Sequence, residues 1–250
     1  MKKVLFLVPV LLFGALTSCK HRTEFKDLFH FGRNNYHNGY EYVDLGLPSR
    51  LMWATCNIGA EKSDECGLYF AWGEVEGHGV YSSDNYLFLY DTYKWGHWNS
   101  LGSDYTIYKY NANAEKGHNS VVDYKFILDE EDDAAVANWG GKWRMPTEIE
   151  CQELLDNCTL TWTNRNNING FELVSKLNGN SIFLPAAGIR YEETLSGKNE
   201  SLKYWAATCY NYGFAPAEAF CLENWYKPED GAFVGYGERW QGMPIRPVWK

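Results

Sequence analysis

Short apolar segments separated by polar turns make up most of the chain after its first 40 residues. Val43, Leu45 and Leu47 alternate with polar or small residues, and residues 51–56 form a second apolar run, so both segments predict strands. A third apolar segment, residues 67–73, lies between glycines. Later runs predict strands at residues 160–163, 171–175, 181–184, 204–208, 218–222, 232–236 and 244–249.

Turn signals separate several of these strands. Asn169-Gly170 and Asn178-Gly179 are typical of two-residue hairpin turns, so we expect a hairpin at each. Residues 74–128 lack such regularity and predict a long, partly ordered excursion. It contains Tyr-Lys-aromatic triplets at residues 93–95, 108–110 and 124–126, whose spacing is too short for a solenoid repeat. We interpret the triplets as strand edges or loop anchors.

Two helices are predicted between the excursion and the later strands. Asp129 is expected to cap a short helix running through residues 134–136, with acidic residues in its first turn, where the helix dipole favours them. The second helix begins at Thr147, which fits the capping box together with Glu150. Its predicted buried face consists of Cys151, Leu154, Leu155 and Cys158. Helices and strands together predict an α+β fold with an antiparallel sheet.

The first 18 residues are typical of a secretory signal. Lys2 and Lys3 precede an apolar stretch over residues 4–16, too short to cross a hydrocarbon layer of about 30 Å as a helix. The small residues before Cys19 resemble the bacterial lipoprotein signal, in which the thiol receives a diacylglyceride and the chain is cut before it. We predict a signal peptide over residues 1–18, lipidation of Cys19, a flexible tether over residues 19–39 and one domain over residues 40–250. The alternative is an ordinary secretory signal with an incidental cysteine.

Charge restricts the partners that this chain can have. The formal net charge of −9 becomes −11 when residues 1–18, with Lys2 and Lys3, are removed. Nucleic acid is therefore excluded as a partner, because phosphate binding needs clustered lysine and arginine. The expected membrane partner is held by the lipid on Cys19 and not by surface charge. Because Lys20 stands where many inner-membrane lipoproteins carry aspartate, we expect an outer-membrane lipoprotein. The basic residues at 20–22 favour its periplasmic face over the cell surface.

Six cysteines remain after the lipidated one: Cys56, Cys66, Cys151, Cys158, Cys209 and Cys221. An even number in an exported chain permits disulfides among them, in any of 15 complete pairings. Buried thiols are the alternative for each. No CxxC pair occurs and no histidine lies beyond His118, so we expect no structural zinc, and no other metal or cofactor is predicted.

Eight stretches recur in an order that resembles a bacterial family, the Fibrobacter succinogenes major paralogous domain of lipoproteins and cell-surface proteins in the Bacteroidetes and Fibrobacteres. They are YVDLGLPS (42–49), LMWATCNIGA (51–60), GLYFAWGE (67–74), DDAAVANWGGKWRMPT (132–147), ELLDNCT (153–159), GNSIFLPAAGIR (179–190), YWAAT (204–208) and IRPV (245–248).

The resemblance implies a C-type-lectin-like fold related to formylglycine-generating enzymes, with a twisted antiparallel sheet, two flanking helices and long loops. It implies no general activity. Cys66 and Cys151 depart from the family pattern, in which aromatic residues are more usual, and their joint appearance suggests that the two face each other. The reactive cysteine pair of formylglycine-generating enzymes lies late in the chain, and Cys209 and Cys221 stand there. A cross-strand disulfide or two buried thiols explains this pair better than a redox centre.

Signatures of catalysis are absent from the sequence. It contains no GxSxG, HExxH, Walker-type or dinucleotide-binding motif. Glu74 with Glu76, or Glu192 with Glu193, could form a glycosidase pair, although nearby carboxylates are common. The acidic residues 130–133 could bind calcium, but a helix dipole explains them and the EF-hand spacing is missing. We therefore expect a protein that is not an enzyme.

Aromatic residues are the remaining candidates, because the chain has 11 Trp, 18 Tyr and 13 Phe. Four tryptophans in regular segments are expected in the core: Trp53, Trp139, Trp143 and Trp205. Four others lie beside turns, where an exposed indole could stack on a sugar ring or enter a protein pocket. These candidate ligand-binding residues are Trp72, Trp95, Trp98 and Trp225. Structural hydrogen bonds are expected for Arg144, Arg190 and Arg246.

These observations favour an envelope-anchored lipoprotein with a non-catalytic domain that binds a glycan or a protein ligand. The first alternative is a structural or assembly component of a cell-surface complex. The second is a hydrolase or an oxidoreductase of the formylglycine-generating type, which would need a pocket that brings His97 or His118 to a carboxylate.

Overall fold

A computed structural model describes residues 35–79, 88–89, 92–98, 105–192, 194–210, 217–224 and 228–250. The strands among these residues are β1 (Tyr36–His37), β2 (Tyr40–Asp44), β3 (Met52–Ala54), β4 (Gly96–Trp98), β5 (Tyr105–Ile107), β6 (Cys158–Arg165), β7 (Ile168–Ser175), β8 (Ser181–Pro185), β9 (Ile189–Tyr191), β10 (Thr194–Ser196), β11 (Lys203–Tyr210), β12 (Glu218–Glu223), β13 (Phe233–Glu238) and β14 (Val248–Trp249). The α-helices are α1 (Ala134–Trp139) and α2 (Glu148–Asn157).

The strands form small antiparallel sheets. Their orders are β1-β2-β3-β14, β6-β7-β8 and β11-β12-β13, with two-stranded pairs β4-β5 and β9-β10. This sheet-rich architecture, with two α-helices among the described residues, confirms the predicted α+β class. Predicted strands at 160–163, 171–175, 181–184, 204–208 and 218–222 lie within β6, β7, β8, β11 and β12, and the turn predicted at Asn178-Gly179 separates β7 from β8. The strand predicted at 244–249 is reduced to the two residues of β14.

The described structure begins five residues before the predicted domain boundary. Tyr36 and His37 form β1 and pair with β2, in which Glu41 lies opposite Tyr36. The ring of His37 stacks on Trp249, with 4.2 Å between ring centres. Residues 35–39 therefore belong to the first sheet and not to the predicted tether. The predicted signal peptide and Cys19 lie outside the described residues and stay predictions.

One hairpin turn lies three residues before its predicted position. Asn166 and Asn167 connect β6 to β7 with φ values of 50° and 67°, a left-handed conformation that asparagine tolerates. The turn predicted at Asn169-Gly170 is wrong, because both residues lie inside β7. A Cβ atom on Gly170 would overlap the carbonyl oxygen of Leu184 on β8. The glycine therefore permits a close approach of two strands.

The two helices begin at side-chain caps. Asp133, and not the predicted Asp129, caps α1: its Oδ1 accepts hydrogen bonds from the amides of Ala135 and Val136. The cap lies four residues later than predicted because residues 130–132 form a 3-10 turn. The capping box predicted for α2 is confirmed. No helix in the described ranges is long and apolar enough to cross a membrane.

The central sheet, β11-β12-β13, has apolar side chains on both faces. Because alternate residues of a strand point to opposite faces, Trp205 and Cys221 pack into one cluster, whereas Tyr204 and Leu222 pack into a second. Helix α2 packs against all three strands of this sheet. The tryptophans expected in the core are buried, namely Trp53, Trp139, Trp143 and Trp205.

Candidate functional site

Trp72, the first tryptophan proposed as a ligand-binding residue, lies in the core. Its side chain is 0 % exposed, and its Nε1 donates a 2.8 Å hydrogen bond to the carbonyl oxygen of Ala206. The expectation of an exposed indole is therefore wrong for Trp72. The glycine beside it marks a turn of the backbone, but the apolar segment that contains Trp72 crosses the interior.

Trp95 is half-buried and carries cations beside its ring. Its Nε1 donates a 2.9 Å hydrogen bond to the carbonyl oxygen of Gly73. Lys94 Nζ lies 4.1 Å and Lys109 Nζ 5.2 Å from the centre of its ring. Trp98 belongs to β4, but its side chain, like the whole of Trp225, lies outside the described residues, so both stay predictions.

The three Tyr-Lys-aromatic triplets meet at one acidic segment. Lys94 Nζ lies 3.0 Å from Asp132 Oδ1, and Lys109 Nζ lies 2.6 Å from Asp132 Oδ2. Lys125 Nζ lies 2.5 Å from Asp129 Oδ2, which Lys109 also contacts at 2.7 Å. Triplets far apart in the sequence therefore hold the long excursion against the residues before α1, which confirms their interpretation as loop anchors.

The charges of this lysine–aspartate cluster stabilise one another. Burial opposes ionisation of Asp132, but hydrogen bonds from Lys109, Tyr110 and Lys94 hold its pKa below the usual value. Burial likewise opposes the charge of Lys109, yet hydrogen bonds to Asp129 and Asp132 raise the pKa of its ammonium above the usual value. Both shifts favour the charged forms of Asp132 and Lys109.

The carboxylates of this cluster have the spacing of a metal site. Asp129, Glu131 and Asp132 offer oxygen atoms within 4.8 Å of one another. The ammonium of Lys109 lies among them, at 2.7, 3.4 and 2.6 Å from the three groups. A lysine cation therefore supplies the positive charge that a metal ion would bring, and the group is an ion-pair network.

A pocket of about 350 Å³ with mixed polar and apolar walls opens where β9, β10, β11 and β12 meet. Its volume is at the lower end of the range of about 300–1,000 Å³ that is typical of small-molecule sites. Carboxylate, ammonium, amide and hydroxyl groups line it beside apolar surface, which makes up the larger part of its walls. The lining residues are Ile189, Ser196, Gly197, Glu200, Ser201, Lys203, Glu223 and Asn224.

An ion pair lies in the wall of this pocket. Lys203 at the start of β11 lies directly opposite Glu223 at the end of β12, and Nζ of the lysine contacts Oε2 of the glutamate. Glu223 is 8 % exposed. A Cβ atom on Gly235 of β13 would overlap its Oε1, so a glycine at that position gives the carboxylate its room.

A tight turn over residues 197–201 also lines the pocket. The carbonyl oxygen of Gly197 accepts hydrogen bonds from the amides of Glu200 and Ser201 and from the hydroxyl of Ser201. Asn224 Oδ1 accepts a hydrogen bond from the amide of Leu202. The walls thus combine charged donors and acceptors with hydroxyl groups at fixed positions. Such a set can hold a ligand that both donates and accepts hydrogen bonds.

No disulfide joins any two of the six cysteines at positions 56–221, all of which the structure describes and all of which are buried. The proposed disulfides are therefore not formed, and the alternative of buried thiols holds. Burial raises the pKa of Cys221 to about 12 and that of Cys158 to about 11. A protonated thiol is a poor nucleophile.

The two cysteine pairs suggested by the sequence do not face each other. Cys209 and Cys221 lie on neighbouring strands as predicted, but Cys209 lies opposite Ala219 and Cys221 opposite Trp205. Cys66 and Cys151 belong to separate apolar clusters. Both expectations fail because register and topology, and not sequence distance, decide which side chains meet.

The candidate catalytic groups do not gather at the pocket. His118 is exposed and its ring contacts that of Tyr108, while His97 is exposed on β4. Neither histidine lines the pocket described above. Glu74 accepts a 2.9 Å hydrogen bond from the amide of Lys94, and burial raises its pKa. The other predicted carboxylate pair includes residue 193, which lies outside the described residues.

Sequence reasoning missed the pocket and a group of surface aromatics on the central sheet. Tyr210 stacks on Tyr236 with 4.6 Å between ring centres, and Phe220 packs at 5.3 Å from Tyr210. The sequence did hold a signal for these aromatics: the alternation of residues 218–222 and 232–236 indicates strands with one outward face. The pocket had no local signal, because its lining comes from four strands and a turn.

No family model matches this chain, and neither a curated protein nor a solved structure matches it.

Proposed function

We propose that this chain is an envelope lipoprotein, anchored by acyl chains on Cys19, whose domain binds a glycan without catalysing a reaction. The lipoprotein signal and the stretches that resemble the Fibrobacter succinogenes major paralogous domain support the proposal. The sheet-rich α+β architecture is compatible with a C-type-lectin-like fold over residues 40–250, which we propose as its finer description. The basic residues after Cys19 favour the periplasmic face of the outer membrane.

The observation that supports glycan binding is the set of hydrogen-bonding groups that lies beside apolar surface in the wall of the pocket. A sugar presents hydroxyl groups that both donate and accept hydrogen bonds. The carboxylate of Glu223, the ammonium of Lys203 and the hydroxyl of Ser201 offer the matching acceptors and donors. An apolar protein side chain would instead exclude water from the hydrogen-bonding positions that these groups keep beyond the Lys203–Glu223 ion pair and the Ser201–Gly197 hydrogen bond, at a cost for each.

The experiment compares two cross-strand ion pairs on a polysaccharide array, using the full-length protein in nonionic detergent micelles. Glu223→Gln removes the pocket carboxylate with little change of shape, and we expect retention on the array to fall about tenfold. Glu172→Gln is the matched control, because Glu172 on β7 pairs with Arg165 on β6, in a different sheet. If the wild-type chain is retained on the array and both variants are retained equally well, the pocket is not the glycan site.

The aromatic candidates are tested in the same array. Trp98→Ala and Trp225→Ala are expected to weaken retention without lowering the melting temperature if these indoles stack on the sugar. Trp72→Ala, which empties a buried position, is expected to lower the melting temperature instead.

A role in assembling a surface complex is the second candidate, and exposed apolar side chains favour it. Several large ones lie close together in the sequence, in the excursion before α1: Tyr108, Val121, Tyr124, Phe126 and Ile127. Grouped exposed apolar residues are typical of contacts between proteins. If no glycan is retained, and cross-linking in cells joins this segment to another envelope protein, assembly becomes the better proposal.

The anchor and its location have separate tests. Mass spectrometry of the mature chain is expected to find acyl chains on an N-terminal Cys19, and an unmodified thiol there would refute the anchor. Protease treatment of intact cells is expected to leave the domain uncut on the periplasmic face. Cleavage in intact cells would place it on the cell surface instead.

A further inference from the structure

One end of the central sheet presents two carboxylates beside three aromatic rings. Glu218 lies opposite Tyr210 on one side and opposite Glu238 on the other, while Phe220 lies opposite Tyr236. Opposite residues of antiparallel strands share a face, and Glu218 and Phe220 are two positions apart, so all five side chains lie on one face. We call these five residues the acidic aromatic surface. Tyr236 is 51 % exposed and the other four are half-buried.

The two carboxylates of this surface oppose each other without a cation between them. Like charges directly across a strand pair destabilise a sheet. Within the described chain no ammonium or guanidinium forms a salt bridge with either glutamate, and Gln241 donates one neutral hydrogen bond of 3.2 Å to Glu238. The nearby Arg239 donates to the main-chain carbonyl of Glu218, at 3.0 Å. Burial and the charge of Glu238 raise the pKa of Glu218, although the charge of Arg239 acts in the opposite direction.

Elsewhere this chain uses a carboxylate and an aromatic ring together to hold an arginine. Arg165 forms an ion pair with Glu172, and its guanidinium lies 4.9 Å from the ring centre of Phe183. All three residues lie on neighbouring strands of one sheet. The acidic aromatic surface also has carboxylates and aromatic rings on neighbouring strands, with two carboxylates where the Arg165 site has one.

We propose that the acidic aromatic surface binds an arginine side chain from a basic segment of a partner protein. A guanidinium is planar, so it can donate to both carboxylates in its plane while its face lies against a tyrosine ring. A lysine ammonium has neither paired donors in one plane nor a flat face that could stack on a ring, so it fits this surface less well. A divalent metal would find only two carboxylates and would not gain from the rings, since calcium takes about six to eight oxygen ligands.

The charge of the whole chain fits a basic partner. A net charge of −9 attracts a cationic segment and raises its rate of encounter. The surface lies at the end of β11 and β12 where Tyr210 faces Glu218, whereas the pocket lies at their opposite end, where Lys203 faces Glu223. The arginine site is therefore separate from the proposed glycan site.

The test measures fluorescence anisotropy of labelled hexapeptides with the full-length protein in nonionic detergent micelles. The probes alternate glycine with arginine, with lysine or with neutral citrulline. We expect the arginine peptide to bind more tightly than the lysine peptide, and the citrulline peptide to show no binding. The double variant Glu218→Gln and Glu238→Gln is expected to weaken arginine-peptide binding about tenfold, and Tyr236→Ala to weaken it by a smaller factor.

The matched control changes the net charge equally at another place. Glu61 and Glu65 are both exposed, so Glu61→Gln with Glu65→Gln removes two surface charges remote in sequence from β11–β13. Equal loss of binding in both double variants would refute the site and indicate general charge attraction. Because Glu218→Gln with Glu238→Gln removes a repulsion, its melting temperature is expected to rise, which separates lost binding from lost folding.

A last measurement adds calcium to the protein to test whether the surface is a metal site. Calcium could raise the melting temperature of the wild type and displace the arginine peptide, with neither effect on the double variant. In that case the surface is a metal site and the arginine proposal is wrong. If calcium has no such effect and the peptides rank as expected, the proposal stands, whatever the array shows for the pocket.

Discussion

Arg246 is a charged side chain in the interior, where it is 2 % exposed. Its guanidinium donates to neutral acceptors on two segments, residues 54–57 and strand β8. Nε donates to Asn57 Oδ1 at 2.8 Å, and the other nitrogens donate to the carbonyl oxygens of Ala54, Thr55 and Phe183 at 3.0–3.1 Å. The arginine thereby joins the end of the chain to the first and second sheets, and the structural role predicted for it is confirmed.

At the residue scale, Arg246→Lys is expected to lower the free energy of unfolding by about 3 kcal/mol, because an ammonium cannot reach all four acceptors and leaves buried carbonyls unsatisfied. Urea unfolding monitored by tryptophan fluorescence measures the change. Arg165→Lys, in a pair whose arginine side chain is 41 % exposed, serves as control and is expected to cost under about 1 kcal/mol. Equal costs for the two variants would contradict the role of Arg246.

At the scale of elements, Asp133 joins α1 to the segment that leads into α2. Its Oδ1 accepts from the first amides of α1, and its Oδ2 accepts a 2.9 Å hydrogen bond from the amide of Met145. The residue is 4 % exposed, and burial raises its pKa even though these amides favour the charged form. A single carboxylate therefore determines both where α1 begins and how the following turn closes.

Asp133→Asn is expected to destabilise the protein by about 1–2 kcal/mol. The amide side chain keeps one oxygen for the cap of α1 but turns a nitrogen towards the amide of Met145, which loses its acceptor. Thermal unfolding followed by circular dichroism measures the loss. Asp156→Asn, near the end of α2, is the control and is expected to change the melting temperature little. A variant as stable as the wild type would show that the bond to Met145 does not matter.

At the scale of the whole molecule, the lysine–aspartate cluster fastens the long excursion to the core. The hydrogen bonds of Asp132 lower its pKa below the unfolded value, so its ionisation stabilises the fold above the usual aspartate range and that contribution is lost as pH falls through the lowered pKa. Lys109→Met removes the ammonium that contacts three carboxylates, and Asp132 is only 2 % exposed.

We expect Lys109→Met to cost about 2 kcal/mol at pH 7, because a buried carboxylate loses a cation. The difference from the wild type is expected to shrink as pH falls below the usual aspartate range and through the lowered pKa of Asp132, where that carboxylate takes up a proton. Melting curves between pH 7 and pH 3 measure this, and hydrogen exchange is expected to accelerate selectively over residues 105–128. Lys62→Met, at an exposed position, is the control. A difference that stays constant with pH would contradict the ion-pair explanation.

What the sequence determined by itself is local. Caps, apolar faces and alternating strands depend on neighbours a few residues away, so the capping box at Thr147, the strands around the central sheet and the α+β class followed from the chain alone. Local signals also misled where a distant contact overrode them. Gly170 serves a close strand approach and not a turn, and Asp133 replaced Asp129 as a cap.

Tertiary structure alone decided which side chains meet. Three features join residues at least 20 positions apart: the contacts of Lys94 and Lys109 with Asp129 and Asp132, the burial of Trp72 against Ala206, and the pairing of Lys203 with Glu223. Register and packing create such contacts, and a one-residue slip would turn each side chain to the other face. For that reason the pocket and the acidic aromatic surface could be located only in the folded chain.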